Sequence, residues 1–209
     1  VDLADVQAVL LDMDGTLVDS DAAVERAWVS WCHRYGVDTA AALAVAPGRP
    51  AAGTIRELRP DLDDAEVAAG AQYQLDLQYD DLDDVVALKG VPELFTALAE
   101  LALPWAIVTS ADRRLAAIRL AAAGVPPVPV LVTAEDITAG KPDPEGYLSA
   151  AELLGVDPAK CLVVEDAEAG IAAGRAAGAR VAALKGLHAD LDLTDLGELA
   201  ALLLKTHTR

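Results

Sequence analysis

Three features of this 209-residue sequence predict an α/β protein, with a parallel sheet flanked by helices on both faces and an added all-helical insert. Short unbroken apolar runs, such as AVLL at 8–11, WAIV at 105–108 and LVV at 162–164, suit strands buried on both faces. Between most of them lie segments with apolar side chains at helical spacing, several closed by glycine. The stretch 20–88 alone breaks the alternation, because it carries helical patterns and no convincing strand.

In chain order, the first strand ends on Asp12, Met13, Asp14, Gly15 and Thr16. A helix over Asp21–Tyr35 follows, with Val24, Ala27, Trp28, Trp31 and Cys32 at helical spacing and a stop at Gly36. The stretch from Thr39 to Ala52, containing Pro47-Gly48-Arg49-Pro50, reads as loose. Two helices are expected around Thr54–Arg59 and Asp64–Tyr79, and the cluster Asp80, Asp81, Asp83, Asp84 reads as a solvated turn. From Gly90 the alternation resumes. Pro92 suits the first turn of a helix running to about Leu101. Strands are expected at Trp105–Val108, Val130–Thr133, Leu162–Val164 and Val181–Leu184, with helices at Arg113–Ala123, Pro144–Leu154, Ala169–Ala177 and Asp195–Leu204. Right-handed crossovers then make the sheet parallel. The expected division is 1–19 with 89–209 as the sheet domain and 20–88 as the helical domain. Gly170, Gly174 and Gly178 recur every four residues on one helical face, which implies close packing on the sheet.

Composition narrows the function. A hydrophobic content of 54% is that of a globular chain, and no apolar run approaches the roughly 18 residues of a membrane span. The opening VDLADVQAVL lacks the basic start and long apolar run of a secretory signal, so a cytoplasmic location is expected. There Cys32 and Cys161 are expected to be free thiols. A formal net charge of −18 argues against nucleic acid and anionic membrane as partners. It leaves room for a small anionic substrate held locally by a lysine, backbone N–H groups and a divalent cation. His33, His188 and His207 have no metal-ligand spacing.

Chemistry-bearing residues follow the apolar runs. Asp12 and Asp14 lie just after the first run, at the carboxyl end of a buried strand, where open α/β sheets bind ligands. Asp14 can offer its carboxylate or its backbone carbonyl. Thr109 and Ser110 follow WAIV, Lys141 lies in AGKPDP, and Glu165-Asp166 follow CLVV.

This ordered set, DxDGT, then Thr, then Lys, then an acidic pair, resembles the haloacid dehalogenase superfamily of phosphatases over almost the whole chain. The resemblance implies a Rossmann-like core with a helical cap. It implies Asp12 as nucleophile, Asp14 as general acid and base, and Thr109 and Lys141 as further catalytic groups. It also implies a Mg2+ site from Asp12, the Asp14 carbonyl, Asp166 and Glu165, and substrate contacts from Thr16, Ser110 and Arg49. The insert, leaving the chain beside Asp12, would close over the site about hinges at Asp19-Ser20 and 88–90. A small phosphate ester is the expected partner, and a monomer or weak homodimer the expected state. AVERAW, PWAIVTS, VTAE and GKPDPEGYL are similar to the bacterial sugar and hexitol phosphatases, with glycerol-3-phosphatases and 2-deoxyglucose-6-phosphatases close by. Pro47 stands where those relatives tend to carry histidine before Gly-Arg or Gly-Lys, which clouds the substrate. A phosphomutase like β-phosphoglucomutase is the alternative, but after Asp19-Ser20 it would need a histidine where Val24 stands. A dehalogenase has no need of a second acid. A phosphate-receiver domain would be shorter, at about 120 residues, and would lack the insert.

Overall fold

The computed structural model describes residues 3–46 and 49–207, and the chain divides into two compact units, Val1–Asp19 with Val86–Arg209, and Ser20–Val85. The larger unit is built on a six-stranded parallel sheet. Its strands are β1 (Ala8–Leu11), β4 (Trp105–Val108), β5 (Leu131–Val132), β6 (Cys161–Glu165), β7 (Arg180–Ala183) and β8 (Leu191–Asp192), in the spatial order β5-β4-β1-β6-β7-β8. β1 lies in the middle because all four of its residues are apolar and fully enclosed, with Leu10 between Ala106 of β4 and Val163 of β6. The chain leaves β1 for β4 on one side and later returns to β6 on the other. This reversal of strand order opens a crevice at the carboxyl ends of β4, β1 and β6.

Helices α5 (Val91–Glu100), α6 (Arg113–Ala122), α7 (Glu145–Leu154), α8 (Glu168–Ala176) and α9 (Leu196–His207) complete this unit. Their starts and stops follow local chemistry. The Asp112 side chain caps α6 by accepting from Leu115 N, and Gly155 ends α7 at φ +69. Val163, Val181, Tyr147 and Ile171 belong to one enclosed core cluster of this unit. A two-stranded antiparallel ribbon pairs β2 (Val18–Asp19) with β3 (Val86–Ala87), and β3 corrects the expectation of no strand within 20–88. Two-residue strands carry no alternation to read, and pairing alone creates them. The same reason hid β8, whose register beside β7 is held by Val181 N donating to Asp190 Oδ2.

The smaller unit is helical: α1 (Asp21–Tyr35), α2 (Thr39–Val45), α3 (Ala51–Leu58) and α4 (Asp64–Tyr79). α2 lies where the sequence reads as loose. Its start is written in Asp38, whose side chain accepts from Ala41 N at 2.8 Å, but its alanines carry too weak an apolar contrast to show a period. α4 opens with a reciprocal capping box between Asp63 and Glu66. The core joins Trp28, Trp31, Cys32, Ile55 and Val67, and Trp31 donates its indole N–H to Gly70 O at 3.1 Å. Arg26 pairs with both Asp81 and Asp84, so part of the acidic turn is tied down. Cys32 and Cys161 are buried free thiols, and no helix among the described residues is long and apolar enough to cross a membrane.

Candidate active site

Asp12 follows β1 directly, and its amide donates to Val164 O of β6 at 3.0 Å, which fixes where its side chain starts. The turn after it is wound tightly. Leu17 N and Val18 N both donate to Met13 O, and Gly15 N donates to Val18 O. Gly15 sits at φ +85, and a Cβ there would lie 2.0 Å from Asp166 Oδ2. Only glycine allows the turn and the acidic pair after β6 to approach this closely.

Lys141, from the loop between β5 and α7, reaches into the crevice. Its Nζ donates to Asp12 Oδ1 at 2.5 Å, to Glu165 Oε1 at 2.6 Å and to Val108 O at 3.2 Å. Glu165, 1% exposed, accepts in addition from Tyr147 Oη at 2.6 Å and from Asp166 N at 3.1 Å. Asp166 pairs with Lys185 Nζ at 3.0 Å, and Lys185 itself takes φ +53. A non-glycine residue in that region is strained, as often happens where a side chain must be aimed at a site.

The electrostatics are those of a crowded anion cluster. Asp12, Glu165 and Asp166 each place a carboxylate oxygen within 4.8 Å of the others. Burial pushes the Asp12 carboxyl well above the usual carboxylate range; the Lys141 ammonium opposes this, and the Glu165 and Asp166 carboxylates add to it. Burial raises Asp166 too, against the pull of Lys185. For Lys141, burial alone would lower the ammonium, but Asp12 and Glu165 outweigh it and hold it raised and charged. Three carboxylates thus face two ammonium groups. The excess negative charge and the all-oxygen donor set fit a hard divalent cation such as Mg2+.

The other sequence-predicted residues fall out differently. Thr109 is buried at the end of β4, where its Oγ1 accepts from Ala111 N at 3.1 Å, and Ser110 beside it is exposed. Thr16 is fully enclosed and its Oγ1 has no hydrogen-bond partner among the described residues, so its hydroxyl is not presented to solvent here. Arg49 belongs to the smaller unit, where it pairs with Glu57 at 2.6 Å; Pro47 and Gly48, grouped with it in the sequence reading, lie outside the described residues. The Asp14 carboxylate is not part of the anion cluster. It accepts from Arg119 Nη1 at 2.9 Å.

A sequence model of haloacid dehalogenase-like hydrolases matches residues 6–178. The chain belongs to this family. Among its haloacid dehalogenase-like relatives, the chain is 42% identical over 175 residues to hexitol phosphatase A of Escherichia coli (strain K12), covering 84% of this chain and 81% of that one. It is 35% identical over 208 residues to the validoxylamine A 7'-phosphate phosphatase of Streptomyces hygroscopicus subsp. limoneus, covering 92% and 95%. The fold is shared with a family IA, variant 3 haloacid dehalogenase-type hydrolase of Entamoeba histolytica, at a TM-score of 0.85 and 21% identity, over 98% of this chain and 100% of that one.

Sequence reasoning within this family missed Tyr147, Arg119 and Gly170. Tyr147 reads as an ordinary apolar-face residue of α7. Gly170 reads as a packing glycine, yet its environment is the site itself: a Cβ there would meet Glu165 Oε1 at 1.7 Å. Gly174 packs on Val181 and Val163 as expected, and Gly178 serves its positive φ of +80. Three evenly spaced glycines therefore answer three different demands. Gly170→Ala is expected to push Glu165 off Lys141 and to destabilise the fold by about 1–3 kcal/mol, read by urea unfolding. Gly53→Ala, within α3 and with nothing near its added methyl, is expected to stabilise by about 0.5–1 kcal/mol.

Proposed function

We propose that this hydrolase cleaves small phosphomonoesters, sugar or sugar-alcohol phosphates, through an aspartyl-phosphate intermediate with Mg2+ bound. The observation that carries the reading is Asp12, set at the end of the central strand and gripped by Lys141 beside Asp166. The names of the relatives, hexitol phosphatase A among them, support the ester class.

In this reading an oxygen of Asp12 attacks phosphorus as the bond from phosphorus to the ester oxygen breaks. Asp14 gives its proton to the departing alkoxide. Asp14 then takes a proton from water, whose oxygen attacks the same phosphorus; the acyl-phosphate bond breaks, releasing inorganic phosphate and restoring Asp12. Lys141 lies against the Asp12 carboxylate and neutralises the charge that builds as an anion approaches an anion. Thr109 and the Ser110 amide would hydrogen-bond the phosphoryl oxygens.

Asp12, Asp166 and the Asp14 carbonyl would hold Mg2+, whose charge permits anionic nucleophile and anionic substrate to meet. Glu165 is committed to three protein donors, so we assign it to anchoring Lys141 and Tyr147 rather than to the metal.

A panel of phosphomonoesters assayed with Mg2+ and after EDTA tests this reading. Phosphate release is expected for sugar and sugar-alcohol phosphates, falling to background on chelation and returning with added Mg2+. Turnover that survives complete chelation would falsify the metal assignment.

A further inference from the structure

On α6 the apolar face runs through Leu115, Ala116 and Leu120, and Arg119 falls on that same face, four residues after Leu115 and three after Ala116. It is 2% exposed. A guanidinium is costly to bury, and an apolar residue at such a position is often as stable or more so. Its Nη1 instead reaches Asp14 Oδ1 at 2.9 Å, from an element 105 residues further along the chain.

Asp14 is a residue that such a contact can orient. Its backbone is held by the turn, while its carboxylate turns about two side-chain bonds, the first with three staggered wells, and its side chain is 29% exposed. To serve both the leaving oxygen and the incoming water it must stay in one of those wells. We propose that Arg119 is a positioning residue that sets the Asp14 side chain in the orientation for proton transfer to the leaving group. The inference rests on the acid–base role assigned to Asp14 above. Arginine suits the task because its guanidinium stays protonated, so it can orient the acid without exchanging a proton with it, and its planar fork is pre-organised where a lysine ammonium is mobile.

The test compares kcat/KM for two esters, a sugar-alcohol phosphate with a poor alkoxide leaving group and p-nitrophenyl phosphate, whose phenolate departs without a proton. Because kcat/KM covers only steps up to the first phosphoryl transfer, the shared hydrolysis of the intermediate does not blur the comparison. For Arg119→Met we expect a loss of ~30-fold or more on the sugar-alcohol phosphate and no more than about threefold on p-nitrophenyl phosphate, with Arg119→Lys recovering part of the difference. Equal losses on both esters, or none on either, overturn the proposal, since a merely structural arginine cannot sense the leaving group. Asp14→Asn run in parallel separates the two readings. If it shows the leaving-group dependence and Arg119→Met does not, only the positioning role fails. If Asp14→Asn treats both esters alike, the acid–base reading falls and the positioning role with it.

Discussion

Asp12→Asn is expected to leave a folded protein whose turnover of any phosphomonoester is lowered at least ~10³-fold, because in the proposed mechanism the change removes the nucleophile itself. The substitution keeps the side-chain volume in a site where Asp12 is 8% exposed, so no cavity forms. It also removes a negative charge from a crowded cluster, and Lys141 keeps Glu165 as its partner at 2.6 Å. Folding therefore stays intact while chemistry stops. Two readouts check this: kcat under saturating Mg2+, and trapping of phosphate, or of beryllium fluoride as its mimic, on the wild type but not on the variant. An Asp12→Asn protein with near-normal kcat would remove Asp12 from the mechanism.

Lys141→Met should cost both activity and stability. The Lys141 side chain is 11% exposed and touches two carboxylates whose side chains are also enclosed, those of Asp12 and Glu165. Deleting one member of a buried charged cluster leaves the others uncompensated, and losses of about 3–5 kcal/mol are typical. The loss should depend on pH in a definite direction. The Asp12 carboxyl is already raised above its unfolded value of 3.8 by burial and by its acidic neighbours, and Lys141 is the group that opposes the rise. Without Lys141 it rises further. A carboxyl raised in the folded state binds its proton more tightly there than when unfolded, so folding is favoured as the pH falls through the folded pKa and disfavoured as it climbs above. Urea unfolding in EDTA is thus expected to show the variant closest to the wild type in mild acid and furthest from it near pH 8. A deficit that does not change with pH would mean that packing, and not charge, is what Lys141 supplies.

The family, and the strand ends that carry the candidate site, were legible in the sequence because both are local. A run of enclosed apolar residues ending on Asp12, another ending on Thr109, and a third ending on Glu165-Asp166 each state a strand and a candidate site residue within a few positions. Parallel packing does the rest, since it brings the carboxyl ends of neighbouring strands together. Free thiols, and the lack of a membrane-length helix among the described residues, are likewise consequences of composition and run length.

What only the tertiary structure decided concerns pairs of residues far apart in the chain. The ribbon of Val18–Asp19 with Val86–Ala87, and the short edge strand at Leu191–Asp192, exist by pairing and leave no period to read. Glu165 reads in sequence only as half of an acidic pair beside Asp166; its hydrogen bonds with Lys141 and Tyr147, and its approach to Gly170, where a Cβ would meet its carboxylate, are set by packing. Arg119 is the instructive intermediate case. The phase of α6 already marked it as a charge on a buried face, which is a signal in the sequence; that its partner is Asp14, 105 positions earlier, is a fact of three-dimensional packing. Periodicity reports which face of an element is enclosed, and it carries no record of what is waiting on the other side.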